Sequence, residues 1–259
     1  MPRNILVLLL LLINTAVVAQ TPEERGLEIA KEADKRDTGW SDQKSTTRMV
    51  LHNRHGQTSI RKMHNRSLEI IGDGDKSIII FDQPRDVKGT AFLSFSHAKK
   101  PDDQWLYLPA LKRVKRISSN NKSGPFMGSE FAYEDLSSQE VDKYTYKFLK
   151  EDKLDGRDVF IIERFPSYKH SGYKRQVAYL DKIMYQPLKI IFYDRKNSLY
   201  KTLYFKKYHK HLNRYWRANK MQMINHQSGK STELIWESIS FKNGFNDADF
   251  NRSSLKRAR

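Results

Sequence analysis

From residue 46 to residue 241 apolar and polar side chains alternate in short runs, and most gaps between runs are only turn-length. The runs cover residues 46–53, 58–64, 67–72, 76–82, 89–96, 103–108 and 114–117, then 144–150, 157–164, 173–181, 188–194, 199–208, 217–225 and 231–241. Period two is the signature of a strand. Asp73-Gly74-Asp75, Asp155-Gly156 and Ser228-Gly229-Lys230 supply turn chemistry between neighbouring runs. Parallel neighbours need crossovers of a dozen residues or more, which most of these gaps cannot hold. The expected fold is therefore mainly β: one large, curved antiparallel sheet. No Pro/Gly/Ser-rich linker and no fixed-period repeat interrupts it, so residues 20–259 read as one domain.

Only one long helix is predicted. Thr21 as N-cap, Pro22 at the first helical position and Glu24 three residues on form a capping box, and Leu27, Ala30 and Ala33 recur at helical spacing over residues 22–36. Several strands are apolar on both faces, among them Ile78-Ile79-Ile80-Phe81 and Val159-Phe160-Ile161-Ile162. Burial on both sides is the common origin of such strands. One helix is little cover for so large a sheet, however. Either the sheet closes on itself, or it stays an unclosed half-barrel whose apolar concavity holds something.

The first nineteen residues have the layout of a secretory signal peptide: Arg3, an apolar run over 5–13, and small residues up to Ala19. The run is too short for a spanning helix of about 20 residues. Cleavage near Ala19 is expected, giving an exported protein. It removes only Arg3 among charged side chains, so the surplus of 47 Lys plus Arg over 30 Asp plus Glu belongs to the remainder. Export demotes nucleic acid as a partner and leaves anionic lipid as the natural target of that charge. The chain has no cysteine, which excludes disulfides and thiolate chemistry.

No Gly-x-Ser-x-Gly elbow, His-Glu-x-x-His or phosphate-binding glycine loop occurs, so nothing points to an enzyme or a cofactor. His209-x-His211 sits among Lys206, Lys207 and Lys210, which oppose a dication. Asp102-Asp103 and Glu134-Asp135 read as caps or turns, because adjacent strand residues point to opposite faces. Lys112, Arg113, Lys115 and Arg116 form one basic cluster. Lys206, Lys207, Lys210, Arg214, Arg217 and Lys220 form another, among Tyr204, Tyr208, Tyr215 and Trp216. Both fit a solvated face or transient contact with an anionic membrane surface.

The stretch from Trp105-Leu106-Tyr107-Leu108-Pro109 to Lys115-Arg116-Ile117, followed by Phe126-Met127-Gly128-Ser129-Glu130-Phe131-Ala132-Tyr133-Glu134-Asp135-Leu136, resembles the exported outer-membrane lipoprotein-sorting, LolA-like family. The likeness extends to the leader, the first helix, the strands and the Asp249-Phe250 ending. It implies an unclosed β-barrel with helices under its open side, an acyl-chain cavity, no catalysis, and the periplasm of a Gram-negative bacterium. It further implies lipoprotein or lipid cargo and work beside inner-membrane resistance–nodulation-type exporters. An arginine on an early strand handles cargo in the chaperone of this family, and Arg48 is the nearest position here. This chain is longer and more basic than that chaperone, and the 126–136 motif belongs to a subgroup.

The same block makes physical sense by itself. Residues 118–124 are polar, and the chain then turns abruptly apolar at Pro125-Phe126-Met127. Long irregular loops are typically lids or disorder. Phe126, Met127, Phe131 and Tyr133 either dock on the domain's own core or lie over a cavity mouth, with Trp105 and Leu108 expected nearby. Two functions compete: a carrier that shields acyl chains, and a module that docks through its basic surface on an exporter or an anionic membrane without carrying lipid.

Overall fold

The computed structural model describes residues 20–257; the leader expected over residues 1–19 lies outside them. Helix α1 (Pro22–Asp37) begins as its sequence dictates. The Glu24 amide donates to Thr21 Oγ1 at 3.2 Å, and the Thr21 amide donates to Glu24 Oε2 at 2.9 Å. The strands that follow are β1 (Asp42–His52), β2 (Thr58–Leu68), β3 (Lys76–Gln83), β4 (Ala91–Phe95), β5 (Asp103–Leu108) and β6 (Arg113–Ile117). After an irregular stretch come β7 (Tyr144–Leu154), β8 (Arg157–Pro166), β9 (Tyr173–Asp181), β10 (Pro187–Asp194), β11 (Leu199–His211), β12 (Tyr215–Asn225) and β13 (Ser231–Phe241). A short helix α2 (Arg252–Arg257) ends the described chain. The runs expected at 58–64 and 67–72 are a different partition of one strand: Asn65 and Arg66 carry β2 unbroken from Thr58 to Leu68, paired with β1 throughout.

All thirteen strands form one antiparallel sheet in the order β6-β5-β4-β3-β2-β1-β13-β12-β11-β10-β9-β8-β7. Each wing is a chain of sequence neighbours, and pairing of β1 with β13 joins the two. No ladder joins β6 to β7 among the described residues, so the barrel is unclosed.

Alternation sorts the doubly apolar strands. In β3, Ile79 and Phe81 face the concave core, while Ile78 and Ile80 join Ala91, Leu93, Phe250 and Leu255 beneath α2 on the convex side. In β8, Phe160 and Ile162 face inward. Val159 and Ile161 are buried on the convex side with Val177 and the side chains of Tyr179 and Tyr193. Much of the two-sided apolar character is therefore the protein's own packing. The helix α1 lies along the β7 edge, over the concave side. Gly26 permits this: a Cβ there would meet the β7 backbone at 2.8 Å from the Phe148 nitrogen.

Candidate ligand-binding cavity

The concave face of the β8–β13 wing, α1 and residues 131–142 enclose a cavity of about 880 Å³. That is the upper end of the ~300–1,000 Å³ typical of ligand pockets. Its floor is aliphatic and aromatic, with Ala178, Leu180, Ile190, Phe192, Leu203 and Leu234 among the lining side chains. A band of tyrosines continues it. Three of their hydroxyls are occupied by the protein: Tyr146 donates to the Val141 carbonyl at 3.1 Å, Tyr208 to the Pro187 carbonyl at 2.6 Å, and Tyr173 to Asp135 at 2.9 Å. Burial holds all three phenols protonated well beyond their ordinary range. With the polar ends satisfied, the rings add apolar wall.

Polar groups enter this wall at defined points. Arg164 donates through Nε to Gln176 Oε1 at 2.7 Å and lies 4.9 Å from the Tyr144 ring centroid. Sequence reasoning passed over Arg164, because an arginine after Val159-Phe160-Ile161-Ile162-Glu163 reads as the strand's polar end. Period two from the inward Phe160 and Ile162 was the available signal.

The mouth is acidic, despite a chain charge of +17. Asp34, Asp37, Glu69, Asp75, Glu140 and Asp142 line it. Burial, reinforced by the like charges of Glu140, Glu69 and Asp37, pushes the Asp75 carboxyl up to about 7. Asp37 is bound to Arg217 at 2.5 Å, yet burial outweighs that partner and raises its pKa.

Residues 118–143 run from β6 to β7 as a strap across the open side of the barrel. Phe126 is fully buried, with ring centroids 5.2 Å from Phe92, 5.6 Å from Tyr133 and 5.8 Å from Phe81. The strap is tied to both wings. On one, Gln104 Nε2 donates to the Tyr133 carbonyl at 3.0 Å, and Arg61 to the Met127 carbonyl. On the other, Lys201 Nζ donates to the Glu130 carbonyl at 2.7 Å and Asn225 to Glu130 Oε2 at 2.6 Å. Glu134 is buried and accepts from the Tyr168 hydroxyl at 2.9 Å, the Ser171 hydroxyl at 2.8 Å and the Gly172 amide at 2.8 Å. Its burial and the neighbouring Asp135 raise its pKa against those donors. Glu134-Asp135 is thus more than a turn: the pair fastens the strap.

Of the residues singled out by sequence, Phe131 lines the cavity, together with Leu136. Phe126, Met127, Tyr133 and Leu108 pack in the adjoining core. Two lie elsewhere. Trp105 is on the convex side, 5.2 Å from the Phe95 ring and 5.9 Å from the Arg252 guanidinium, because its neighbour Leu106 takes the inward position. Arg48 also points outward, 3.4 Å from Glu237, between the buried Thr47 and Met49. Neither reaches the cavity, so the expectation that they bind ligand there does not fit this register.

A family model described as an uncharacterized protein family matches residues 73–257. A solved structure from Vibrio parahaemolyticus, described as an outer membrane lipoprotein-sorting protein domain, is 59% identical with a TM-score of 0.89. The alignment covers 91% of this chain and 100% of that one. A DUF1329 family protein from Desulfovibrio piger is 33% identical over the same shares, with a TM-score of 0.86. A LolA superfamily protein from Nitrosomonas europaea is 17% identical, covering 88% of this chain and 98% of that one with a TM-score of 0.71, a likeness of fold alone. No curated protein matches. By sequence the chain belongs to the outer-membrane lipoprotein-sorting protein family, and its fold is like that of a LolA superfamily protein.

Proposed function

We propose that this protein is a non-enzymatic periplasmic carrier that shields the acyl chains of a lipoprotein or envelope lipid on their way to the outer membrane. The observation that carries the reading is the 880 Å³ cavity with its aliphatic and aromatic floor, where the hydroxyls of Tyr146, Tyr173 and Tyr208 are spent on protein partners, beside an unclosed sheet edge. Each buried CH₂ is worth ~0.8 kcal/mol, so a 16-carbon chain offers about 12 kcal/mol of gross burial. Reorganisation and immobilisation are subtracted from that. The leader is removed after Ala19, and cargo is exchanged with a membrane or with an inner-membrane exporter of the resistance–nodulation type.

The competing docking module is favoured by one feature, the convex face of β8–β10. There Lys189 lies 3.8 Å from the Tyr179 ring and Arg175 lies 3.5 Å from the Tyr193 ring, a polar–aromatic surface suited to a protein partner. A fluorescent acyl probe separates the two. Ala178 and Ala218 line the cavity and are buried. The carrier reading expects Ala178→Trp and Ala218→Trp to fill the space and reduce probe binding while the fold survives. A wild-type protein that binds no acyl probe overturns it.

A further inference from the structure

The last turn of α1 and two hairpin tips enclose a second hollow of about 430 Å³ beside the cavity. The β9–β10 tip carries Ile183, which is 83% exposed, and the β11–β12 tip carries Leu212, which is 47% exposed. The three elements are joined through backbone carbonyls: Arg36 Nη1 donates to that of Ile183 at 3.0 Å, and Arg214 Nη2 to that of Lys35 at 3.4 Å. Asp37, Gln186 and Trp216 line both the hollow and the cavity, so the tips stand at the cavity's edge.

Isolated exposed apolar residues are ordinary on soluble proteins. Here they come with two further features. The first is charge. The two carboxylates that line the hollow are taken, Glu32 by Arg36 at 2.6 Å and Asp37 by Arg217 at 2.5 Å, while Asp34 of the same turn faces the cavity mouth. Lys35, Lys210 and Arg214 also line the hollow, are exposed, and have no ion-pair partner among the described residues. The second is a set of amphipathic rings. Trp216 lies 5.8 Å from Lys210 Nζ, and Tyr185 lies under Arg36 at 3.9 Å. Aromatic rings beside lysine and arginine are the composition of a membrane–water boundary. Along the rest of the mouth, Glu69, Glu140 and Asp142 are repelled by an anionic surface. That leaves this corner as the part of the rim that can approach one.

We propose that the corner formed by Ile183, Leu212, Lys35, Lys210 and Arg214 seats on an anionic lipid bilayer, with the two apolar tips entering the headgroup layer and the cavity mouth held beside it. The consequence for cargo, direct passage between bilayer and cavity, rests on the carrier reading; the docking itself does not.

The test is flotation of the mature chain with phosphatidylcholine vesicles made with and without phosphatidylglycerol. Replacing Lys35, Lys210 and Arg214 by Gln weakens partitioning about fivefold per cation, or about 100-fold together, from the ~1 kcal/mol that each cation gains at an anionic surface. Ile183→Glu with Leu212→Glu removes vesicle binding although every cation remains. Replacing Lys112, Arg113, Lys115 and Arg116 by Gln leaves tip insertion intact and is the control for unspecific charge. All these positions are exposed, so every variant should fold; Arg214→Gln removes the bond to the Lys35 carbonyl, and thermal melts check that each variant is folded at the assay temperature. Three results overturn the docking: equal binding to both vesicle types, wild-type binding by the Ile183/Leu212 variant, or no binding at all. Acyl-probe retention is measured on the same samples. Vesicle binding through the tips without probe retention removes the carrier and keeps the docking; retention without vesicle binding does the reverse.

Discussion

Replacing Phe126 by Ala distinguishes a strap that is core from one that swings. The ring is wholly buried and contacts Phe81, Phe92 and Tyr133. Truncating a buried Phe costs about 3–5 kcal/mol, the transfer free energy plus the hole left behind. Domains are stable by only about 5–15 kcal/mol, so the loss is a large share of the whole. With an m-value of about 2–3 kcal/mol/M in urea, the midpoint falls by roughly 1–2 M. The strap is also held through Glu130, Tyr133 and Glu134, whose bonds to both wings the substitution leaves in place. The folded variant therefore keeps its cavity and retains an acyl probe at zero denaturant. Urea melts and probe retention on the same variant check this. A stability loss under about 1 kcal/mol with retention abolished means that Phe126 caps a mobile lid, and the reasoning above fails.

Gly26→Ala should destabilise by about 1–3 kcal/mol by overpacking, although Ala is the better helix former, since its Cβ would meet the β7 backbone at 2.8–3.0 Å; a gain in thermal stability contradicts the close approach of α1. Glu134→Ala strands the Tyr168 and Ser171 hydroxyls and the Gly172 amide. It should cost about 3–5 kcal/mol, as for a buried charge network robbed of one member, and a denaturant melt reads it. Asp75 keeps its proton up to about pH 7 when folded, whereas an unfolded aspartate loses it near pH 4. The folded state binds the extra proton between those values, so this stabilising contribution is full below about pH 4 and is lost as pH rises through 7. Asp75→Asn should flatten stability between about pH 4 and pH 7; an unchanged slope in melts across that range assigns it to other groups.

The architecture was legible because period two is a local signal and short turns leave only antiparallel pairing. The single sheet follows from that, and α1 from the capping box at Thr21; the residue pattern left open whether the sheet closes, and only the family resemblance implied an unclosed barrel. Facing was less legible. In Trp105-Leu106-Tyr107-Leu108 every residue is apolar, so the pattern does not say which pair turns inward; Leu106 takes the core and Trp105 goes beneath α2. Arg48 came only from the family resemblance, and in the structure it takes the outward position between the buried Thr47 and Met49. The C-terminal helix α2 escaped notice because six residues, Arg252–Arg257, are too few to show a helical period. The acidic mouth was hidden for another reason: Asp34, Glu69, Asp75 and Glu140 come from three separate segments, α1, the β2–β3 connection and the strap, and only the folded chain brings them together. Net charge is a sum over the surface and carries no information about such a patch.

The central claim is that the cavity holds acyl chains, and native mass spectrometry of the protein purified from its native cells tests it most directly. The carrier account predicts a species heavier than the mature polypeptide by the mass of a lipid or acylated peptide. The adduct should be released by organic extraction and depleted in Ala178→Trp. A bare polypeptide mass, with no acyl species in the extract and none taken up from added lipid, contradicts it.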